Sequence, residues 1–151
     1  MSFSVFINSE YAVDTTALMA VRNYDIDWSR FEEGDYELSF AFDSIFQDTN
    51  DNNINIVPHA LSLPDLPLKN VISPQGGRSR NSPSVGIIHT NLWGAQGNNR
   101  YFQQHYSNPN NKPVVCNRPS SQNFRVRFLG FEGDEITAFV DYTLMLYFKK
   151  L

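Results

Sequence analysis

Residues 48–59 read DTNDNNINIVPH, and Asp48, Asn50 and Asn52 offer oxygen ligands at the spacing of a calcium loop. Such a loop needs a glycine at its sixth position for the sharp turn and a bidentate glutamate at its twelfth. The chain has Asn53 and His59 there, so the run reads as an Asn-rich turn. The three histidines, His59, His89 and His105, lie far apart, and no Cys–His or His-x-His pair occurs. Their spacing builds no zinc site. His89 stands in an apolar run and reads as a hydrogen-bonded core or edge residue. Cys116, between Val115 and Asn117, resembles a small buried hydrophobe, with no nearby base to activate it. Asp25/Asp27 and Glu32/Glu33 are carboxylate pairs, and glycosidases work with two carboxylates. Here the first pair falls on the outward face of an alternating segment and reads as solvated. The stretch SPQGGRSRNS holds two glycines with Arg78 and Arg80 but lacks the Lys-Ser/Thr ending of a phosphate loop. It reads as a flexible loop, with contact of its arginines to a neighbouring subunit's acids or a polyanion as the alternative. No catalytic residue, metal ligand or cofactor is assigned, which points to a non-enzymatic protein working through its surface.

The segments that position these residues alternate with a period of two, the mark of half-buried strands. FSVFI (Phe3 to Ile7) is a first strand. MAVRNYDIDW sets Tyr24, Ile26 and Trp28 on one face and Asp25 and Asp27 on the other. After the turn SRFEEGD, Tyr36, Leu38, Phe40 and Phe42 point inward, so these two strands are expected to form a hairpin. IVPHALSL is a strand that Pro58 demotes to an edge or a bulge. Residues 63–84 are rich in Pro, Gly and Ser and read as a long surface loop with one short strand, Leu68 to Ile72. SVGIIHTNLW, RYFQQHY and PVVCN are further strands, with GAQGNN as a turn. At the C-terminus Phe124, Val126 and Phe128 oppose Arg125 and Arg127. After EGDE, a second run places Ile136, Ala138, Val140, Tyr142, Leu144, Leu146 and Phe148 on one face. These two runs read as one long hairpin, and the last as a central strand. Phe139, Met145 and Tyr147 on its second face imply cover from both sides along part of its length.

The 151 residues are read as one domain (1–151), with 41% hydrophobic content, 12 Phe and 7 Tyr to fill one core. Many short strands and no amphipathic helix predict an all-β antiparallel sandwich, a jelly roll of about eight strands. An immunoglobulin-like sandwich is the rival, but the Cys…Trp…Cys spacing is absent. A net charge of −4 without a basic block predicts no direct nucleic-acid binding. One cysteine excludes an internal disulfide, compatible with a reducing compartment. The N-terminus lacks the pattern of a signal peptide, and no run reaches the roughly 18 apolar residues of a membrane helix. Candidate interface residues are the aromatics Trp93, Tyr101, Tyr106, Phe139 and Tyr147 and the arginines Arg78, Arg80 and Arg118. Pro119 holds Arg118 extended, where it reaches a local carboxylate such as Asp141 or Glu135, or a neighbouring subunit.

Several short motifs resemble those of small capsid-associated jelly-roll proteins of large DNA viruses of algae and protists and their relatives. They are the triplet Ile7, Asn8, Ser9; Trp28 in a W-S-R-F turn leading to Tyr36, Phe40 and Phe42; Asn117, Arg118, Pro119, Asn123, Phe124, Val126 and Arg127; and Tyr142, Leu144, Leu146 and Phe148. The matches cover the two ends; residues 44–105 carry none. The resemblance implies a minor or accessory capsid component, made in the host cytoplasm and found in the virion. Its partners would be copies of itself and other capsid proteins. The alternative is a host-attachment or spike module binding glycans or a receptor, with NLWGAQGNNRYF as the segment for sugar contact.

Overall fold

In a computed structural model the described residues are 2–16, 18–47, 58–70, 84–88, 91–104, 113–130, 133, 136 and 139–151. The calcium-like run up to residue 57, Arg78, Arg80, His89, His105, Tyr106, Glu135 and most of the 63–84 loop lie outside them. For Trp93 and Phe139 only the strand positions are described.

Among the described residues ten strands form two antiparallel sheets: β1 (Phe3–Asn8), β2 (Val21–Asp25), β3 (Asp35–Gln47), β4 (Ala60–Ser62), β5 (Ser84–Ile87), β6 (Asn91–Gln96), β7 (Asn99–Gln104), β8 (Val114–Asn117), β9 (Asn123–Leu129) and β10 (Phe139–Lys150). One sheet runs β1-β10-β3-β7-β6, with β8 also on β3; the other runs β2-β9-β4-β5. The chain pairs with itself as a long ribbon, β1 with β10, β2 with β9, β3 with β7 and β8, and β4 with β5. Wrapping that ribbon lays β10 beside β3 and β9 beside β4, which makes two facing sheets. This is a jelly roll. β6 and β8 supplement the eight strands of the wrapped ribbon. The C-terminal strand is central because it closes both the ribbon and the wrap: Leu144 sits between Ile7 and Phe42, and Leu146 between Val5 and Phe40.

The inward faces follow the alternation. Tyr36, Leu38, Phe40 and Phe42 of β3, Phe124, Val126 and Phe128 of β9, and Tyr142, Leu144, Leu146 and Phe148 of β10 are all buried. Aromatic packing joins the sheets at one end: Phe148 stacks on Phe3 at 4.7 Å between ring centroids and meets the edge of Trp28 at 5.7 Å, and Trp28 meets Phe124 at 5.1 Å. Such pairs add about 0.5–1.5 kcal/mol each beyond the area they bury.

The strand partners differ from expectation. β2 and β3 are not a hairpin, nor are β9 and β10: in each pair one strand belongs to each sheet. The connecting turns carry the chain across the sandwich, because both flanking strands bury one face in the same core. The run Ser84–Trp93 is two strands, β5 and β6, again in opposite sheets. β4 is internal, between β9 and β5, and Pro58 lies ahead of it, where no ladder hydrogen bond is lost. Leu68 makes a single bridge to Cys116 and begins no strand in the described residues. GAQGNN does turn tightly: Gln96 pairs with Asn99 around Gly97, whose φ of +58° suits a two-residue hairpin.

Candidate interaction face

Several polar side chains are spent on holding the sandwich together. Asn8 accepts a hydrogen bond from the amide of Glu10 at 2.9 Å and so caps the short 3-10 turn Ser9–Tyr11. Ser9 Oγ accepts from the Tyr142 amide at 3.2 Å, and the Ser9 carbonyl accepts from Arg22 Nη1 at 2.7 Å. Arg22 is 4% exposed, a buried cation whose Nη2 also donates to the Thr15 carbonyl at 2.7 Å. It was missed as a functional residue, although it shares the inward parity of Tyr24. The Tyr24 and Tyr142 hydroxyls hydrogen-bond each other across the gap between the sheets. Burial pushes the Tyr24 phenol up to about 12 and raises that of Tyr142 as well, so both stay protonated.

A second polar unit closes the other side of the core. Asp27 Oδ1 accepts from Ser29 Oγ at 2.5 Å and Ser29 N at 3.1 Å, capping the 3-10 turn Trp28–Arg30. Those bonds hold its carboxyl below the usual range. The turn carbonyls of Trp28 (3.2 Å) and Phe31 accept from Arg118 Nη1, and Arg118 Nη2 meets Glu33 Oε1 at 3.1 Å. The local carboxylate is therefore Glu33, not Asp141. With its side chain only 17% exposed, Arg118 is a clamp between two chain segments. Cys116 is buried on β8, and burial, then the nearby Asp35, push its thiol up to about 12; it is no nucleophile near neutral pH. Among the described residues no group of three or more His, Cys, Asp or Glu is placed to hold a metal ion, and no helix is long and apolar enough to cross a membrane.

Among the described surfaces, the outer face of the six-stranded sheet gathers apolar side chains from several strands. The register sets its rows: Ser4–Tyr147–Ser39, Phe6–Met145–Ala41, Asn8–Thr143–Asp43–Gln103 and Asp141–Ile45–Tyr101–Gly94. Met145, Tyr147, Ile45 and Tyr101 are half-buried there. Phe6 is 52% exposed, and Tyr11 packs edge-on to it at 6.4 Å. The Tyr101 ring lies over Gly94, where an added Cβ would come within 3.5 Å of it. Asp43, Ile45, Tyr101, Asp141 and Thr143 line a shallow depression, and Phe6, Ala41, Gln103 and Met145 line the next one.

Of the sequence-derived candidates, Tyr101 and Tyr147 thus share this face, and Arg118 does not. β6 bulges at Trp93, between Leu92 and Gly94, and β10 is irregular just after Phe139. Met145 was read only as part of the covered second face of the last strand, and Phe6 was not singled out; the outward parity of Phe6 on an apolar strand was the available signal. No protein-family model matches the chain, and no curated protein matches it in sequence.

Proposed function

We propose that this chain is a non-enzymatic structural component of a virion, a minor or accessory capsid protein that packs against copies of itself or against the major capsid protein. The observation behind this reading is the outer face of the six-stranded sheet. It is built on β10 and β3, which share an eleven-position ladder from Tyr36–Lys150 to Phe46–Phe139. That makes it a stiff platform, and it presents Tyr147, Phe6 and Met145 in two adjoining rows, with Ile45 and Tyr101 beyond the polar row Asn8–Thr143–Asp43–Gln103. Apolar and aromatic side chains on a rigid surface favour burial against a partner. The viral setting is taken from the resemblance of the Ile7–Ser9, Trp28-turn and Asn117–Pro119 motifs to small capsid jelly rolls; in the fold these positions hold the sandwich together.

The test is quantitative mass spectrometry and imaging of purified particles of the encoding virus. A fixed stoichiometry per particle, with density for a jelly roll, is expected. Absence from particles overturns the proposal, as does substrate turnover by the purified chain. Specific glycan binding lost in Trp93→Ala would replace it with the recognition reading.

A further inference from the structure

Among the described residues β1 is an edge strand, with nothing paired on its outer side. The sheet order begins with it, and no backbone hydrogen bond from another described segment reaches Phe3–Asn8. A row of unpaired amides and carbonyls is a template for another strand, and folded proteins usually blunt it with Lys, Pro, a bulge or a covering segment. FSVFIN has no Lys, no Pro and no register shift against β10, and no described segment pairs along its outer side, although Phe31 of the neighbouring corner stacks on Phe3 at 3.8 Å. The other edges are treated differently. The β2 edge receives Val13, whose amide donates to the Asn23 carbonyl at 2.9 Å. β6 is broken by its bulge, and β5 has four residues with Gly86 among them. Beside β1 runs a shallow groove between Ser4–Phe6 and the corner that bears Ile26, Arg30 and Phe31. Phe3, Val5, Ile26 and Phe31 are only partly buried along this side.

We infer that the β1 edge pairs with β1 of a second copy, antiparallel about a two-fold axis, to join the two six-stranded sheets into one. Backbone chemistry demands an extended strand as occupant. β1 suits itself: it carries no charge, so a copy sets no like charges opposite, and a two-fold axis returns the same alternation with Phe3, Val5 and Ile7 of both copies inward. The corner adds little repulsion between copies, since Arg30 there is paired with Asp27 of its own chain at 3.5 Å. Pairing also covers Phe6 and extends the row Phe6–Met145–Ala41 into the second copy. This inference deepens the proposed assembly role and rests on it for its biological setting, not for its geometry.

The experiment is sedimentation equilibrium of the full chain with amide hydrogen exchange. A dimer is expected, with every β1 amide protected; pairing to β10 alone protects alternate ones. Phe6→Lys sets two cations across the axis and raises the dimer Kd by about tenfold or more, with circular dichroism unchanged because the side chain is exposed. Should that variant fail to fold, Ser4→Lys, also exposed and on the same strand, takes its place. Met145→Lys, one strand inward on the same row, leaves the dimer intact. A wild-type monomer at the highest soluble concentration overturns the inference. So does a dimer lost in Met145→Lys but kept in Phe6→Lys, or one that leaves alternate β1 amides fast; both place contact on the sheet face and leave the assembly role standing. Full β1 protection that arises only when another capsid protein is added overturns the second copy as occupant.

Discussion

Replacing Arg118 with alanine removes a clamp whose worth can be worked from its acceptors. Nη1 donates to the Trp28 and Phe31 carbonyls and Nη2 to Glu33. A hydrogen bond from a charged donor contributes about 1.5–3 kcal/mol. The Trp28 carbonyl keeps a partner after the change, since the Phe31 amide donates to it at 3.1 Å, so its loss sits at the low end. The Phe31 carbonyl is left with no donor from the described residues. Glu33 is 86% exposed, and so solvated a pair adds at most a few tenths. The sum is about 3 kcal/mol, a large fraction of the roughly 5–15 kcal/mol that holds a typical domain. In equilibrium urea unfolding with a slope of about 2 kcal/mol/M, the midpoint falls by about 1.5 M. Arg118→Lys restores a single donor and recovers part of the loss, because a Lys ammonium lacks the planar fork. Glu33→Gln shifts the midpoint by less than about 0.25 M. The Arg118→Ala loss persists in about 1 M salt, since carbonyl acceptors are not screened as a surface ion pair is. A loss under about 1 kcal/mol, or equal effects of Arg118→Ala and Glu33→Gln, would refute the clamp.

Phe148→Ala opens a cavity against Phe3, Trp28 and Tyr36; thermal unfolding should show a loss of about 3–5 kcal/mol, and a loss below half that would mean the aromatic cluster collapses to fill the gap. Tyr142→Phe leaves the buried Tyr24 hydroxyl without its cross-sheet partner and costs about 1–3 kcal/mol; in a cycle with Tyr24→Phe the double variant should lose less than the two singles summed, and strict additivity would contradict a direct bond. Cys116 and Tyr24 ionise near 9 and 10 when unfolded but only at about 12 when folded. Their contribution is therefore complete below pH 9 and lost as pH rises towards 12, so denaturant midpoints should be flat from pH 7 to 9 and fall above it. Over the same flat range a thiol reagent should modify Cys116 only at the unfolding rate, and fast labelling of native protein would show an accessible thiol.

The alternation of side chains identified the strands and their inner faces, because burial on one side of a pleated ribbon leaves its period directly in the chain. Tyr36, Leu38, Phe40, Phe42, Phe124, Val126 and Phe128 were all legible that way, and all are buried. Period two says which face a residue takes but nothing of which strand lies alongside. The two hairpins read across Ser29–Asp35 and across EGDE became crossings between sheets for that reason. The true neighbour of β1 is β10, with Phe3 beside Phe148, a pairing fixed by long-range closure of the ribbon. Tertiary structure likewise chose the partners of Arg118, the carbonyls of a turn far away in sequence together with the Glu33 carboxylate. It also brought Phe6, Met145 and Tyr101, from three distant segments, onto one outer face. Sequence determined what each strand buries; only the folded ribbon decided what the sheets present, because adjacency between strands is set by how the whole chain wraps and not by any local pattern.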